Sequence, residues 1–578
     1  MDLAAAQQPH IVLILADDLG AGDVGPRDHD GDPLTTPVSD TPQLDLLMQQ
    51  GLRATQCSAS SPLCSPSRAS LLTGRHHART GVSGVLFPES SVGLPADERT
   101  LAECLRDGGY RTALVGKWHL GNVPGLRPWE QGFESFYGVL NSNDMAGFAL
   151  MENDLSVQSC VDQDLLHAAL FQRARETIAQ AAGGTQPLFL MLSLVTPHVP
   201  VHVHPSFQGS SGRGLYADAL RELDAGVGSI VSLLQSLNLD ANTLLIFSSD
   251  NGPWIQSHGP PAGHPEPWRW VGGQTGGLRG AKGTAYEGGV RVPLLLRQPG
   301  TITAEVRTDP VSLVDIFPTL LDAAGLPLPG DRRIDGRNLL GSAALRQAQR
   351  RPVEQCVYRM FHADTGLWGT RRLWSYRNER WKLFFDNQGN PTECYDLLAD
   401  PAETTPLANS SWLSVLADRA RQFHCRLDEL PLTLPAGPNL ALGAQAFASA
   451  SQACSTAELC CDGRPSTGYE SPATAQGWLM LDLGAVQPLA ESQLAFGAAF
   501  PTQYRLEHSL DGGHWQTFAL ENAGQGGTVR HGLSAQARFV RLQASSTAGG
   551  AGLCVLEWRL LARPSGPGGA GGSDSVGG

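Results

Sequence analysis

The segment His10-Ile11-Val12-Leu13-Ile14-Leu15-Ala16-Asp17-Asp18 decides the reading of the first two-thirds of the chain. Its apolar run is too short to cross a bilayer and ends at once in two acids, so it reads as a buried strand. The same rhythm returns in TLAECLRDGGYRTALVGKW (100–118) and PLFLMLSLVTPH (187–198). It returns again in YADALRELDAGVGSIVSLLQSL (216–237), which leads into NTLLIFSSDNG (242–252). Strand-like runs alternating with helix-like stretches argue for an α/β unit with a mostly parallel sheet. In such sheets, ligands gather at the carboxyl ends of the strands. Asp17, Asp18, Lys117, His198, Asp250 and Asn251 all fall at or just after such runs, which predicts that they converge on one sheet edge.

With 578 residues the chain exceeds what one hydrophobic core supports, and two or three units are expected. From Cys356 the pattern shortens to LWSYRNERWKLFF (373–385) and ECYDLLADPAETTPLA (393–408), then a helical stretch near Leu413 to Leu430. This reads as a small sheet plus helix closing the first unit. The proline-rich LPLTLPAGPN (430–439) reads as a linker. Beyond it, WLMLDLGAV (478–486), ESQLAFGAAF (491–500), QYRLEHSLDGGHW (503–515) and ARFVRLQAS (537–545) alternate with Gly, Asp and Ser turns, as in an antiparallel sandwich. The closing SGPGGAGGSDSVGG has nothing to bury and reads as disordered. The expected units are therefore 1–345, 346–430, a linker at 431–438, 439–562 and a tail at 563–578.

A net charge of −14 argues against nucleic acid or an anionic membrane as partner, because both select basic surfaces. An anionic substrate remains compatible with it, since a local cationic pocket decides a short-range contact. No transmembrane helix is visible. The opening MDLAAAQQPH lacks the basic and apolar regions of a signal peptide, which fits an intracellular protein or one whose signal has been removed. Setting Cys64 aside leaves ten of the 11 cysteines, an even number compatible with disulfides. Asn409-Ser410-Ser411 is a usable glycosylation sequon.

The run Cys64-Ser65-Pro66-Ser67-Arg68-Ala69-Ser70-Leu71-Leu72-Thr73-Gly74-Arg75 sets a cysteine before a proline suited to the first turn of a helix. Such a helix puts Cys64 at its positive N-terminal end and Arg68 on the same face, and both favour an anion beside residue 64. Asp17, Asp18, Asp250 and Asn251 offer three carboxylates and an amide oxygen, hard ligands suited to Ca²⁺ or Mg²⁺ rather than zinc. No His/Cys cluster in the sequence competes for zinc. Lys117 and His119, two apart in GKWHLG, share a side if the chain is extended there.

The Cys64 segment resembles the signature of the formylglycine-dependent sulfatases, C-x-P-S-R-x-x-x-L-T-G-R, without a departure. The likeness runs from Ile11 to about Asn409 and is nearest the arylsulfatase A type, through SPLCSPSRASLLTGR, GYRTALVGKWHLG, SSDNGP and LRGAKGTAYEGGVRVP. It implies an alkaline-phosphatase-like α/β fold with a small C-terminal α+β subdomain. It implies oxidation of Cys64 to formylglycine (3-oxoalanine) by a formylglycine-generating enzyme, and one Ca²⁺ held by Asp17, Asp18, residue 64, Asp250 and Asn251. By the same likeness Arg68 joins the catalytic set, Lys117 serves the formylglycine and sulfate oxygens, and His119 serves the aldehyde hydrate. His198 and Lys282 flank the ester and leaving-group oxygens. Ser142, in NSND, rests on one short match as a substrate contact.

Sulfate monoesters are anionic and repel nucleophiles, so a site for them must supply positive charge first. A hydrated aldehyde gives one hydroxyl to attack sulfur while His198 or Lys282 helps the alcohol leave with a proton; His119 then takes the proton of the second hydroxyl and sulfate departs. Residues from about Asn439 to Leu560 resemble the discoidin, or coagulation factor type C, family of β-sandwiches (jelly-roll-like), which includes many carbohydrate-binding modules. The stretches that carry this are NLALGAQAFASAS, CCDGRPSTGYES, GWLMLDLGA, YRLEHSLDGGHWQTF and ARFVRLQAS. A structural calcium at Asp462 to Thr467 and sugar stacking on Tyr469 belong to that likeness, a packed turn tyrosine being the plain alternative. The expectation is a sulfatase acting on a sulfated glycan in a secreted, periplasmic or lysosome-like compartment. The alternatives are a formylglycine phosphonate monoester or phosphodiester hydrolase and a catalytically silent glycan-binding protein.

Overall fold

The computed structural model describes residues 8–25, 40–255, 266–341, 353–358, 361–362, 367–368, 373–407, 410–427, 445–448, 469–470, 477–496, 501–511, 513–521, 527–547 and 554–562. It forms two compact units, Met1–Leu427 and Asp428–Gly578. The expected linker, the glycine-rich tail, Asn409, the segment Asp462 to Thr467 and Cys454, Cys460 and Cys461 lie outside the described residues.

The first unit is built on an 11-stranded sheet. Its strands are β1 (His10–Ala16), β2 (Leu52–Ser58), β3 (Arg111–Lys117), β4 (Ser135–Val139), β5 (Leu150–Glu152) and β6 (Leu155–Gln158). The set is completed by β7 (Leu188–Ser193), β8 (Thr243–Ser249), β9 (Arg291–Arg297), β10 (Glu305–Arg307) and β11 (Val311–Ser312). Their order is β10-β2-β9-β8-β1-β7-β3-β4-β5-β6, with β11 beside β2. The centre, β8 to β4, is parallel, as the alternation predicts. Strand β9 runs antiparallel to both β8 and β2, so β2 again points the same way as β8. Val12, Ile14 and Ala16 pack into one apolar layer while Ile11, Leu13 and Leu15 pack into the other, which is why the opening run shows no polar alternation.

Helices α1 (Pro42–Gln50), α2 (Cys64–Thr73), α3 (His77–Thr80), α4 (Leu101–Asp107), α5 (Gln163–Ala182), α6 (Leu215–Ser236), α7 (Glu287–Val290) and α8 (Ile316–Ala323) connect the strands. All ten residues of α2 are buried. It stops at Gly74, whose left-handed backbone (φ 65°) lets its N–H bond the Ser70 carbonyl. A Cβ at that position would lie 2.7 Å from Phe317 Cβ. Gly74→Ala is therefore expected to destabilise the protein by about 1–2 kcal/mol of backbone strain plus about 1–3 kcal/mol of overpacking, read as a lower urea midpoint.

A four-stranded antiparallel sheet follows, β12 (Gln355–Tyr358) through Leu373–Arg377 and Trp381–Phe385 to Pro391–Asp396, with the helix Ser410–Leu427 against it. This is the small sheet plus helix expected from the sequence. The second unit is a seven-stranded antiparallel sheet in which two long strands, Gly477–Phe496 and Gly527–Thr547, pair through register breaks. Leu479, Leu481, Leu494, Leu506, Val540, Leu542 and Trp558 form its core, and the Trp558 indole donates to Ser492 Oγ at 2.9 Å. Tyr469 lies in a short strand paired with Val555, not in a turn.

Candidate active site

Strands β1, β2, β3, β7 and β8 all end on one edge, and the chain leaving each supplies the site. Hydrogen bonds prolong the ladder past the strand ends: Asp17 N–H to Thr196 O (3.0 Å) and Asp250 N–H to Ala16 O (3.2 Å). Asp17, Asp18 and Asp250 thereby bring carboxylate oxygens within 4.8 Å of one another, fully enclosed. Asp18 adopts a left-handed backbone (φ 63°), as does His119 (φ 59°), conformations that cost non-glycine residues of order 1–3 kcal/mol each.

The three acids carry different loads. Burial works to raise the Asp17 carboxyl, but Lys117, His198, Arg68 and Lys282 outweigh it and hold the group far below the usual range. Burial pushes Asp250 up to about 7 despite Arg68, with Asp17 and Asp18 adding to the rise. Two buried oxygens, Asp17 Oδ1 and Asn251 Oδ1, have no hydrogen-bond partner. The Asn251 amide nitrogen donates to Asp18 Oδ1 (2.7 Å) and Gly252 O (2.9 Å). Crowded carboxylates and acceptor oxygens without a hydrogen-bond partner fit a hard divalent cation.

Cys64 is the first residue of α2 and is 2% exposed. Its Sγ lies within 4.8 Å of an Asp17 oxygen and a His198 ring nitrogen. That trio amends the expectation of no His/Cys cluster, but His198 Nε2 already accepts from Lys282 Nζ at 2.7 Å, so its lone pair is committed. Burial pushes the Cys64 thiol up, against the pull of Lys117 and Lys282, so an unmodified thiol is protonated and a poor nucleophile. Among the described cysteines, Cys57, Cys64, Cys104, Cys160 and Cys394 are free thiols and do not form the disulfides that the even count allowed.

Arg68 is the framework cation. It donates to Asp250 Oδ2 (2.8 Å), Lys117 O (3.1 Å) and Ser193 Oγ (2.6 Å). Lys117 Nζ bonds Asp17 Oδ2 (2.6 Å) and Ser142 Oγ (3.1 Å), so Ser142 does reach the pocket. Lys282 Nζ bonds Asp18 Oδ2 at 2.8 Å, and Asp18, with Asp17 and Asp144, raises its pKa against the opposing effect of burial.

The two histidines are set as opposite tautomers. His198 Nδ1 faces the Val199 carbonyl at 2.5 Å and must carry the proton there, leaving Nε2 as acceptor. His119 Nε2 faces the Leu86 carbonyl at 2.9 Å, so its lone pair is on Nδ1, a buried atom without a hydrogen-bond partner. Burial, reinforced by Lys117 and Arg68, lowers the His119 pKa well below 6.5, and burial with Lys282 lowers that of His198. All eleven residues singled out from the sequence thus meet in one pocket. Ser193, at the end of β7, and Asp144 were not singled out. Ser193 was signalled only as a polar end to an apolar run. Burial raises the Asp144 carboxyl, yet His198, Lys282, Lys117 and a Ser142 hydrogen bond together hold it low.

Fixed cations beside clustered carboxylates and a helix N-terminus make a setting for cleaving an anionic ester. Residues 9–326 match the Sulfatase family model, 281–430 the N-sulphoglucosamine sulphohydrolase C-terminal model, and 445–557 the F5/8 type C domain. The chain is 38% identical to arylsulfatase A of Homo sapiens over 427 residues, 69% of this chain and 79% of that protein. It is 35% identical to N-acetylgalactosamine-6-sulfatase of Sus scrofa over 376 residues, 60% of this chain and 68% of that one. Among solved structures, the PsFucS1 sulfatase from Pseudoalteromonas sp. aligns with a TM-score of 0.61 at 25% identity, covering 73% of this chain and 90% of that one. Ps i-CgsB in complex with k-i-k-neocarrahexaose aligns at 0.59 and 26%, covering 73% and 92%. The chain belongs to the sulfatase family and is a sulfuric ester hydrolase carrying a C-terminal F5/8 type C domain.

Proposed function

We propose that this enzyme removes sulfate from a sulfated glycan, using a formylglycine made from Cys64 and a Ca²⁺ held by Asp17, Asp18, Asp250, Asn251 and residue 64. The observation that carries this is the meeting of Cys64, at the start of α2, with Asp17, Lys117, His198 and Lys282 in one enclosed pocket. A bound calcium would offset the repulsion among the carboxylates and polarise oxygens of the ester. Hydrated formylglycine would supply a hydroxyl nucleophile and a second hydroxyl whose later deprotonation releases sulfate.

The chain's own groups cover the rest. Lys117 and Arg68 keep the sulfate end of the pocket positive. Lys282, the donor to His198 Nε2, presents an ammonium proton to the departing oxygen. His119 offers its unpaired Nδ1 as the base for the second hydroxyl. Because burial holds both imidazoles neutral below pH 6.5, the acid limb of kcat/KM for an aryl sulfate is expected below that pH; a limb at or above 6.5 contradicts this assignment.

The glycan is favoured by the sugar-bearing name of one relative, the oligosaccharide in one structural neighbour, and the appended domain. The sandwich would tether the enzyme to the polymer. The domain limits proposed are 1–345, 346–430 and 439–562, and the setting proposed is a secreted, periplasmic or lysosome-like compartment reached after contact with a formylglycine-generating enzyme. The test is the mass of the proteolytic peptide bearing Cys64, from a host that converts a control sulfatase, followed by sulfate and phosphate release from matched esters. An aldehyde with sulfate release is expected. An intact thiol would favour a silent glycan binder, and preferential cleavage of phosphonate or phosphate esters the rival hydrolase.

A further inference from the structure

Lys282 sits on a glycine-rich loop whose base is fixed by another part of the unit. The stretch Gly280-Ala281-Lys282-Gly283-Thr284-Ala285 holds two left-handed glycines (φ 76° and 85°) and small side chains. Its tip is tied by backbone, Lys282 N–H to Pro253 O (2.9 Å) and Gly283 N–H to Pro62 O (3.0 Å), by Thr284 Oγ1, which accepts from Ala281 N–H (3.0 Å), and by the Lys282 ammonium on Asp18 and His198. At its base, Gly288 N–H closes onto Arg279 O at 2.7 Å, and there the side chains engage the four-stranded sheet. Arg279 donates to Tyr395 Oη (2.8 Å) and Glu403 O (3.1 Å) and stacks over Tyr286 at 3.9 Å. The Tyr286 ring lies 4.6 Å from that of Phe384.

Glu287, five residues after Lys282, anchors a buried charge cluster. Its N–H donates to Glu403 Oε2 at 2.5 Å. Its carboxylate accepts from Arg291 (2.6 Å), Arg377 (3.0 Å) and Lys382 (3.0 Å), and Lys382 also pairs with Glu403 Oε1 at 3.1 Å. Glu287 and Glu403 are both fully buried. Glu403 also adopts a left-handed backbone (φ 56°), a strained conformation for a glutamate that persists only where the surroundings fix it. Two acids against three bases, all buried, form a rigid, directional joint that costs stability unless every member stays paired.

We propose that Glu403 and Lys382 are positioning residues that set the Lys282 ammonium against the leaving-group oxygen, so that the C-terminal sheet governs departure of the alcohol. This rests on the role given to Lys282 above. Loosening the joint lets the loop drift while Asp17, Lys117 and the start of α2, held by other elements, stay in place. The effect therefore falls on protonation of the leaving group, and substrates whose leaving group needs no proton are spared.

The test is kcat/KM for 4-nitrophenyl, phenyl and 4-methoxyphenyl sulfates with the full-length enzyme, its Glu403→Gln and Glu403→Gly variants, and Lys282→Ala as reference. In Glu403→Gln, phenyl sulfate is expected to lose at least about tenfold more than 4-nitrophenyl sulfate, a steeper dependence on leaving-group acidity. Glu403→Gly, which relieves the backbone but removes the carboxylate, is expected to steepen it equally. An equal fall across the series, or an unchanged slope in either variant while Lys282→Ala steepens, overturns the proposal. A flat Lys282→Ala series overturns the underlying role of Lys282 and the proposal with it. If the Glu403 variants do not fold, Lys382→Gln tests the other positioning residue, which bonds Glu287 and Glu403; an unaltered slope there is likewise fatal.

Discussion

Cys64→Ala is expected to lower turnover of an aryl sulfate by on the order of 10⁴-fold or more while the unfolding temperature stays close to wild type. The two halves of that result have different causes. Position 64 opens α2, where alanine suits helical backbone at least as well as cysteine, and removing one buried sulfur leaves only a small void. No other group in the pocket is placed to replace it. His119 Nε2 and His198 Nδ1 are engaged by backbone carbonyls, and Lys117 and Lys282 are each bound to a carboxylate. Cys64→Ser should be equally silent in a host that does not convert serine, because a plain hydroxyl lacks the second oxygen needed to expel sulfate. Multiple turnovers by Cys64→Ala, measured by sulfate release, would refute the nucleophile assignment.

Chelation is expected to have the second large effect, and its pH dependence gives it a signature. With Asp250 pushed up to about 7 by burial and its two acidic neighbours, the folded chelated protein holds a proton that the unfolded chain releases near its ordinary pKa of about 4. A carboxyl whose folded pKa is raised loses stability as pH climbs between those values. Asp17, held far below the usual range, titrates beneath that window and leaves the comparison unchanged. The gap in unfolding temperature between calcium-loaded and chelated enzyme should therefore widen from pH 4 towards pH 7. A saturating ion at 1,000 times its Kd adds about 4 kcal/mol. A gap that is constant or narrows over this range would mean that Asp250 is not relieved by the metal. Activity should vanish with chelation and return with Ca²⁺.

The pocket was legible in sequence because its parts are strand ends. Asp17, Lys117, His198 and Asp250 each close an apolar run, and parallel strands bring such ends together whatever their distance along the chain. The Cys64 run was legible as a helix start for the same local reason. What periodicity does not encode is direction, so the antiparallel setting of β9 left no trace in its apolar letters. Pairings across the fold were equally silent. Nothing local to Glu287 points to Lys382 or Glu403, about a hundred residues away, and a glutamate before two glycines reads as a turn. The tautomers of His119 and His198 follow from carbonyls at Leu86 and Val199, and backbone acceptors carry no sequence signal.

The left-handed backbones of Asp18 and His119 set conformational ease against chemistry at two known places. Glycine at either position would relax the chain and remove a functional group in the same substitution. A descendant freed from selection for hydrolysis would thus gain thermal robustness by acquiring glycine there. Glycine at these two positions, with Cys64 intact, would then mark a lineage in which the fold has outlived its catalysis.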